Sequence, residues 1–314
     1  MRSLIASLVS LFVINNLKRR HLRKVIKGIS AQEKRIIQAG LPGLEIKSFR
    51  FFKSGTARIF LVNDNLVVKS FGPGCAAHCA AASAILREHI DGALFPDIKK
   101  LHGTEDYMYY PFLPGNMITH GNVSEECLSD IAHFIARMHA IDTDKIPKEL
   151  MDALHPQRPL SIIQDPVEIS KILGRDVSDD VREIQKVYAR HNLRKRIFTH
   201  GDLRLGQMLQ NSAGRLCAVL DLDNFTATAN PLHDIEQFSK NPAKLFHFIK
   251  LLNKAYQSCG LSIRISEHDA YFAMKNRLYG AIISDWRRKR DLDRMAENIA
   301  ALDRLVGLNP NPVA

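Results

Sequence analysis

The chain has 314 residues, 46% of them hydrophobic and 25% charged, an ordinary globular balance that excludes a disordered or fibrous protein. That length can bury a substantial core without covalent staples, as one large domain or two smaller ones. The cysteines (Cys75, Cys79, Cys127, Cys217 and Cys259) are odd in number and show no framework spacing. A disulfide scaffold is therefore not expected, and a reducing, cytoplasmic compartment fits best.

The net charge of +11 is unevenly placed: residues 1–30 hold seven Lys or Arg and no acid, leaving 37 basic against 33 acidic residues in the remainder. Within that arm an almost wholly apolar run, Leu4 to Ile14, precedes Lys18, Arg19, Arg20, Arg23, Lys24 and Lys27. A secretory signal has the reverse order. The 15 residues from Ser3 to Leu17 fall short of the ~20 needed to span a bilayer. The pattern suits a helix lying at the inner face of a membrane with its basic end on anionic headgroups. A helix packed on the protein or a partner chain, or a solubilising tail, would account for it too. Residues 1–28 are thus the expected contact with an anionic membrane surface. No nucleic-acid recognition motif is evident, so no specific nucleic-acid partner is expected.

From Lys47 the pattern changes to short β-type runs. Phe49, Phe51 and Phe52 mark the first, and 58–62 and 66–69 form the next two, joined by the turn residues Asn63, Asp64 and Asn65. These last two read as a hairpin. Cys75 to Ile90 reads as a helix between Pro73-Gly74 and Gly92. Its Cys75 and Cys79 could suggest a metal clip with His78, but no second ligand pair follows at zinc-site spacing, and the thiols read as small apolar residues. Tyr107 to Leu113 reads as a strand ending at Pro114-Gly115. Leu128, Ile131, Phe134, Ile135 and Met138 then recur at helical spacing, and the second half is mostly helical with one β-rich interlude at 216–222. Strands first and helices later give an α+β chain of two unequal lobes.

The most informative stretch is Ile197 to Glu236, in which Asp202, then Asp221 and Asp223, then Asp234 are spaced in order. Asp202 follows His200-Gly201 on an expected loop. Asp221 ends the apolar run Ala218-Val219-Leu220, so a strand should deliver it to a pocket edge. A carboxylate there is well placed for Mg²⁺, which takes a few carboxylates plus phosphate oxygens. Taken singly, each of these acids reads as a solvated loop residue; their joint spacing changes that.

His200-Gly201-Asp202-Leu203, Leu220-Asp221-Leu222-Asp223 and Pro231-Leu232-His233-Asp234 together resemble the catalytic core of the aminoglycoside phosphotransferase and choline kinase group. The likeness is specific in this segment and looser over the rest of 47–305. It implies a bilobal protein-kinase-like fold, with a β-rich N-lobe at 31–115 and a helical C-lobe at 116–314, following the N-terminal segment 1–30. It implies transfer of the γ-phosphate of ATP, with Mg²⁺, to a hydroxyl of a small-molecule substrate. Asp202 would be the catalytic base, Asp221 the metal ligand, and Asp223 a residue assisting the metal or contacting substrate; Asp234 would brace the loop. Gln207 stands where the group usually has Asn. The text His200 to Gln207 is similar to the maltokinase-like variant, which makes Gln207 a metal ligand as well. Arg204 occupies a position where many relatives have His.

For the N-lobe the resemblance implies that Lys69 clamps phosphates and that Glu88 holds it. Ser54-Gly55-Thr56-Ala57 would be the nucleotide-covering loop, with Gly55 and Thr56 at the cofactor, though it lacks several of the group's glycines. Tyr109 to Gly115 would be the hinge, offering the Pro111 carbonyl and the Leu113 amide to adenine. His139 is expected to pack or cap a helix. The acceptor is less legible. Trp286 followed by Arg287, Arg288, Lys289 and Arg290, with Arg277 and Arg294 nearby, argues against a polycationic antibiotic. It suits an anionic sugar or an envelope or lipid-linked substrate, unless Asp285, Asp291 and Asp293 simply balance a solvated face. The other readings are a non-catalytic kinase-like scaffold and a protein Ser/Thr kinase.

Overall fold

The computed structural model describes residues 31–54, 57–70, 72, 74–154, 162–238, 241–288 and 292–306. These fall into two compact units, one of 31–84 with 96–113 and one of 85–95 with 114–306. The apolar and basic segment 1–30, and Gly55 and Thr56, lie outside the described residues.

The first unit opens with helix α1 (Ala31–Gly40), followed by strands β1 (Phe49–Ser54), β2 (Ala57–Val62) and β3 (Leu66–Ser70). The β2–β3 turn forms because Asn63 and Asp64 both accept a left-handed backbone, with φ of 51° and 61°. Asn63 also ties the turn to the preceding chain: its Oδ1 accepts from Lys47 N at 2.7 Å and its Nδ2 donates to the Glu45 carbonyl at 2.7 Å. Helix α2 (Cys75–His89) follows, then β4 (Lys99–Lys100) and β5 (Tyr107–Pro111). The sheet order is β1-β2-β3-β5-β4, and its pairs are antiparallel. Alternation along the strands turns Phe60, Val62, Val68 and Tyr107 inward, where Ile37 and Leu41 of the α1 region and Leu101 close over them. An Arg58–Glu33 ion pair, with Nε 2.8 Å from Oε1, ties β2 to α1.

In the second unit, β6 (Asn116–Met117) precedes helix α3 (Glu125–Ala140), which Ser124 caps by accepting from Cys127 N at 3.0 Å. Helices α4 (Lys148–Ala153), α5 (Pro166–Leu173) and α6 (Ser178–Arg190) lead to β7 (Ile197–Thr199), β8 (Met208–Gln210), β9 (Leu216–Val219) and β10 (Thr226–Thr228). β7 pairs with β10, and β6, β8 and β9 form a three-stranded sheet. Helices α7 (Leu232–Phe238), α8 (Pro242–Ser258), α9 (Glu267–Arg288) and α10 (Leu292–Val306) complete it. Helix α8 packs on α3, and α9 is central, touching α5, α6, α7, α8 and α10. The chain is therefore α+β, with a sheet-rich unit and a larger, mainly helical one. Beyond the expected β-rich interlude there are strands β6, β7, β8 and β10, each two or three residues long and too short to show a period of two.

Candidate active site

The loop His200–Gln207 and the turn after β9 meet within the second unit, and three interactions fix how they meet. His200 is buried, and its Nε2 donates to the Leu220 carbonyl at 2.8 Å. Leu220 N in turn donates to the Gln207 carbonyl at 2.8 Å. Gly201 adopts φ +78°, and a Cβ there would sit 2.4 Å from the Asn224 carbonyl oxygen. Only glycine permits both the left-handed backbone and that close approach.

Asp234, at the start of α7, holds the same loop from beneath. Its fully buried carboxylate accepts from His200 N at 3.1 Å and Gly201 N at 2.9 Å. His139 Nε2 lies 3.2 Å from Asp234 Oδ2, and His139 Nδ1 lies 2.8 Å from the Tyr256 hydroxyl. Burial alone would push the Asp234 carboxyl up, but the His139 hydrogen bond and the imidazoles of His139, His200 and His233 outweigh it and hold the group below the usual carboxylate range. His139 is therefore more than the packing or capping residue its sequence position suggests; it links α3 and α8 to the loop's brace.

This scaffold brings together Asp202, Gln207 and Asp221. The Gln207 amide nitrogen donates to Asp202 Oδ2 and to Asp221 Oδ2, at 3.0 Å each, while its Oε1 accepts from Arg204 N at 3.1 Å. One NH₂ group thus draws two carboxylates toward a common point. Asp221 takes φ 66° and ψ 54°, a left-handed conformation that costs a non-glycine residue about 1–2 kcal/mol. The turn Leu222–Asn224 carries Asp223, partly exposed, two residues beyond. Arg204 covers Asp202: its Nε and Nη2 both donate to Asp202 Oδ1, at 2.8 and 2.6 Å.

In the first unit, Lys69 lies on β3 and is 4% exposed. Pro111 ends β5 opposite Leu66, and Phe112 N donates to the Asn65 carbonyl at 2.7 Å, so the strand contact continues toward Leu113. Glu88 is exposed on α2 and belongs to the second unit. Cys75 and Cys79 are buried one turn apart on α2, with sulfurs 3.7 Å from each other.

The basic stretch on α9 resolves unevenly. Arg287 pairs with Glu168 through Nε at 2.8 Å, and Arg294 pairs with Asp285 through Nε at 3.0 Å. Both therefore have acid partners; Asp285 is one of the acids the balanced-face reading named, whereas Glu168 is not. Lys289, Arg290 and Asp291 lie outside the described residues. Arg277 differs. Its Nη1 reaches only the Glu236 and Gln237 carbonyls, at 3.4 Å each, and it forms no ion pair with a carboxylate among the described residues. The sequence shows the arginines but not which of them are ion-paired, because Glu168 and Asp285 must be located before the pairs can be assigned.

Residues 48–238 match the model of the phosphotransferase enzyme family. No curated protein sequence matches the chain. Among solved structures, the GDP complex of wild-type aminoglycoside 2'-phosphotransferase-IIIa is 16% identical with a TM-score of 0.63, covering 88% of this chain and 98% of its own. A macrolide 2'-phosphotransferase type I is 16% identical with a TM-score of 0.59, over 87% and 97%. The apoenzyme of macrolide 2'-phosphotransferase MphH from Brachybacterium faecium is 16% identical with a TM-score of 0.57, over 90% and 99%. At these identities the likeness is one of fold, and the kinase-like architecture is shared over nearly the whole length.

Proposed function

The chain belongs to the phosphotransferase enzyme family, and from that premise we propose that it moves the γ-phosphoryl group of ATP to a hydroxyl of a small molecule, with Asp202 and Asp221 at the centre. The observation that carries this reading is the shared Gln207 amide, which holds the two carboxylates at one point on a loop braced by Asp234. A binding-only scaffold has no evident use for such a convergence or for the left-handed backbone at Asp221.

The donor set fits a divalent cation, since two carboxylates already converge where a single polar group now separates them. Mg²⁺, when bound, would neutralise charge on the nucleotide phosphates. Asp221 would hold it, assisted by Asp223, and Gln207 would join by turning its amide oxygen inward. In the transfer itself, the acceptor oxygen forms a bond to the γ-phosphorus as the bond to the β–γ bridging oxygen breaks. ADP leaves, and the hydroxyl proton passes to the Asp202 carboxylate. The resemblance would give Lys69 the phosphates and Glu88 the holding of Lys69, with Gly55 and Thr56 covering the nucleotide and Pro111 and Leu113 receiving the adenine.

The acceptor is a small molecule with a hydroxyl, and an anionic sugar or lipid-linked compound suits it best. Among the described residues no helix is long and apolar enough to cross a membrane. A peripheral contact through residues 1–28 is part of this proposal; deleting them should release the chain from anionic vesicles, and unchanged binding would refute it. For the reaction, transfer of ³²P from labelled ATP to a panel of sugars and polyols should be lost in Asp202→Ala. Equal transfer by that variant would remove Asp202 from the chemistry.

A further inference from the structure

Within the second unit, α9 and the segment that leads into α5 enclose a cavity of about 460 Å³, a size typical of small-molecule sites. Ile162 and Ile163 of that segment and Ile283 of α9 give it an apolar lining, while Gln164 and Ser284 add an amide and a hydroxyl. The charged groups along it are already engaged. Glu168 accepts from Arg287 Nε at 2.8 Å, and Asp165 Oδ1 caps α5 by accepting from Val167 N at 2.8 Å. What the cavity offers an occupant is therefore apolar surface and neutral hydrogen-bonding groups, not an unmatched charge.

The space is held open by the fold. Ile163 N donates to Oδ1 of the buried Asn276 at 3.0 Å, and Gln185 Nε2 donates to the Ile163 and Gln164 carbonyls at 3.4 and 3.3 Å. Asn276 in turn donates to Glu236 of α7 at 3.2 Å, so this wall is tied to the packed helices around it. The opposite wall contains Gly280, in the interior of the 22-residue helix α9. Glycine weakens a helix there relative to alanine. No neighbouring atom requires it, since a Cβ at Gly280 would meet nothing within 4 Å. The missing side chain serves only what enters the cavity. Beside the opening, Val167 and Trp286 are chain neighbours of the paired Glu168 and Arg287, and they are 68% and 50% exposed. Trp286 also follows Ile283 by one helical turn. Large apolar side chains exposed next to an apolar cavity extend the surface available to an apolar ligand.

We propose that this cavity binds the alkyl chain of an amphiphile whose head group is uncharged and hydroxylated. The chain lies along the three isoleucines and over Gly280, and the head meets the Gln164 amide and the Ser284 hydroxyl. The site goes beyond the phosphotransferase reading and does not rest on it. Burial of each methylene supplies the affinity, and the two neutral polar groups select the head.

The test titrates the full chain with methyl, butyl, hexyl and octyl β-D-glucoside, each below its micelle-forming concentration. Binding is read by calorimetry and by the emission of Trp286, the chain's single tryptophan. Affinity should rise about twofold or more per methylene from butyl to octyl, and octyl glucoside should shift the Trp286 emission to the blue. Gly280→Leu fills the cavity while improving helix propensity, so it should weaken octyl glucoside about tenfold or more and melt no lower than the parent. If that variant does melt lower, Ser284→Met, which fills the same space from the same helix, replaces it. Octanoate, with the same chain length and a charged head, should bind more weakly than octyl glucoside at matched ionic strength. No binding by any glucoside, affinity independent of chain length, or a folded cavity-filling variant that binds like the parent would overturn the site. Tighter binding of octanoate would overturn the uncharged head.

Discussion

Replacing Asp234 with asparagine tests how the catalytic loop is held. The carboxylate serves three donors: His200 N, Gly201 N and His139 Nε2, at 3.1, 2.9 and 3.2 Å. An amide keeps one acceptor oxygen and turns its NH₂ toward at least one of these donors. The loss of a charge-assisted hydrogen bond costs about 1.5–3 kcal/mol, and a stranded buried donor about 1–3 kcal/mol. The sum, about 2.5–6 kcal/mol, brackets the about 3–5 kcal/mol that breaking a buried ion pair usually costs, and we take the latter. The pH dependence follows from the sign of the shift. The folded-state pKa of Asp234 is depressed, so its stabilisation is fully present above the unfolded value of about 3.9 and is lost as pH falls through the folded value. Urea unfolding of parent and variant at neutral pH should therefore differ by about 3–5 kcal/mol. The gap should narrow only in the acid range, below the unfolded carboxylate pKa. A difference under about 1 kcal/mol at neutral pH, or a gap that persists unchanged into acid, would refute the brace, since either implies that the carboxylate's charge does not hold the loop.

Two further substitutions address the same frame from other sides. Gly201→Ala places a Cβ 2.4 Å from the Asn224 carbonyl at φ +78°, and should cost about 2–4 kcal/mol with a larger loss of turnover; a variant as stable as the parent would show that the loop approaches Asn224 less closely. Asp269 accepts from Ser266 N at 2.9 Å and Arg190 Nη2 at 2.9 Å, with His191 Nε2 at 3.1 Å. Burial would raise its pKa, but these partners hold it far below the usual carboxylate range, so Asp269→Asn should destabilise at neutral pH and progressively less as pH falls below about 4. A thermal-melting difference independent of pH would contradict that assignment.

Much of the fold was legible because its signals are local. The Asn63-Asp64-Asn65 turn needs only residues that tolerate a left-handed backbone, and helix α3 announces itself by the helical spacing of Leu128, Ile131, Phe134, Ile135 and Met138. The candidate site was legible at Asp202, Gln207 and Asp221 because an ordered motif carries them. What stayed hidden depends on long-range contact. His139 and Asp234 are 95 residues apart in sequence, and no pattern within either segment reports their hydrogen bond. Gly201 reads as part of a motif, yet its necessity lies in an Asn224 carbonyl 23 positions away, visible only when both loops are placed. The basic stretch was legible only in part: Asp285, an acid beside it, pairs with Arg294 of α10, whereas Arg287 is matched by Glu168, 119 residues away, and Arg277 forms no ion pair with a carboxylate among the described residues.

The central claim is that Asp202 and Asp221 form the heart of a nucleotide-dependent phosphotransfer site. Its most direct test is calorimetric titration of the full chain with ATP, with and without Mg²⁺, in the parent and in Asp221→Ala. Binding that requires Mg²⁺ and weakens at least tenfold in the variant is the expected result. No detectable binding by the folded parent, or equal binding by both proteins, would contradict the account.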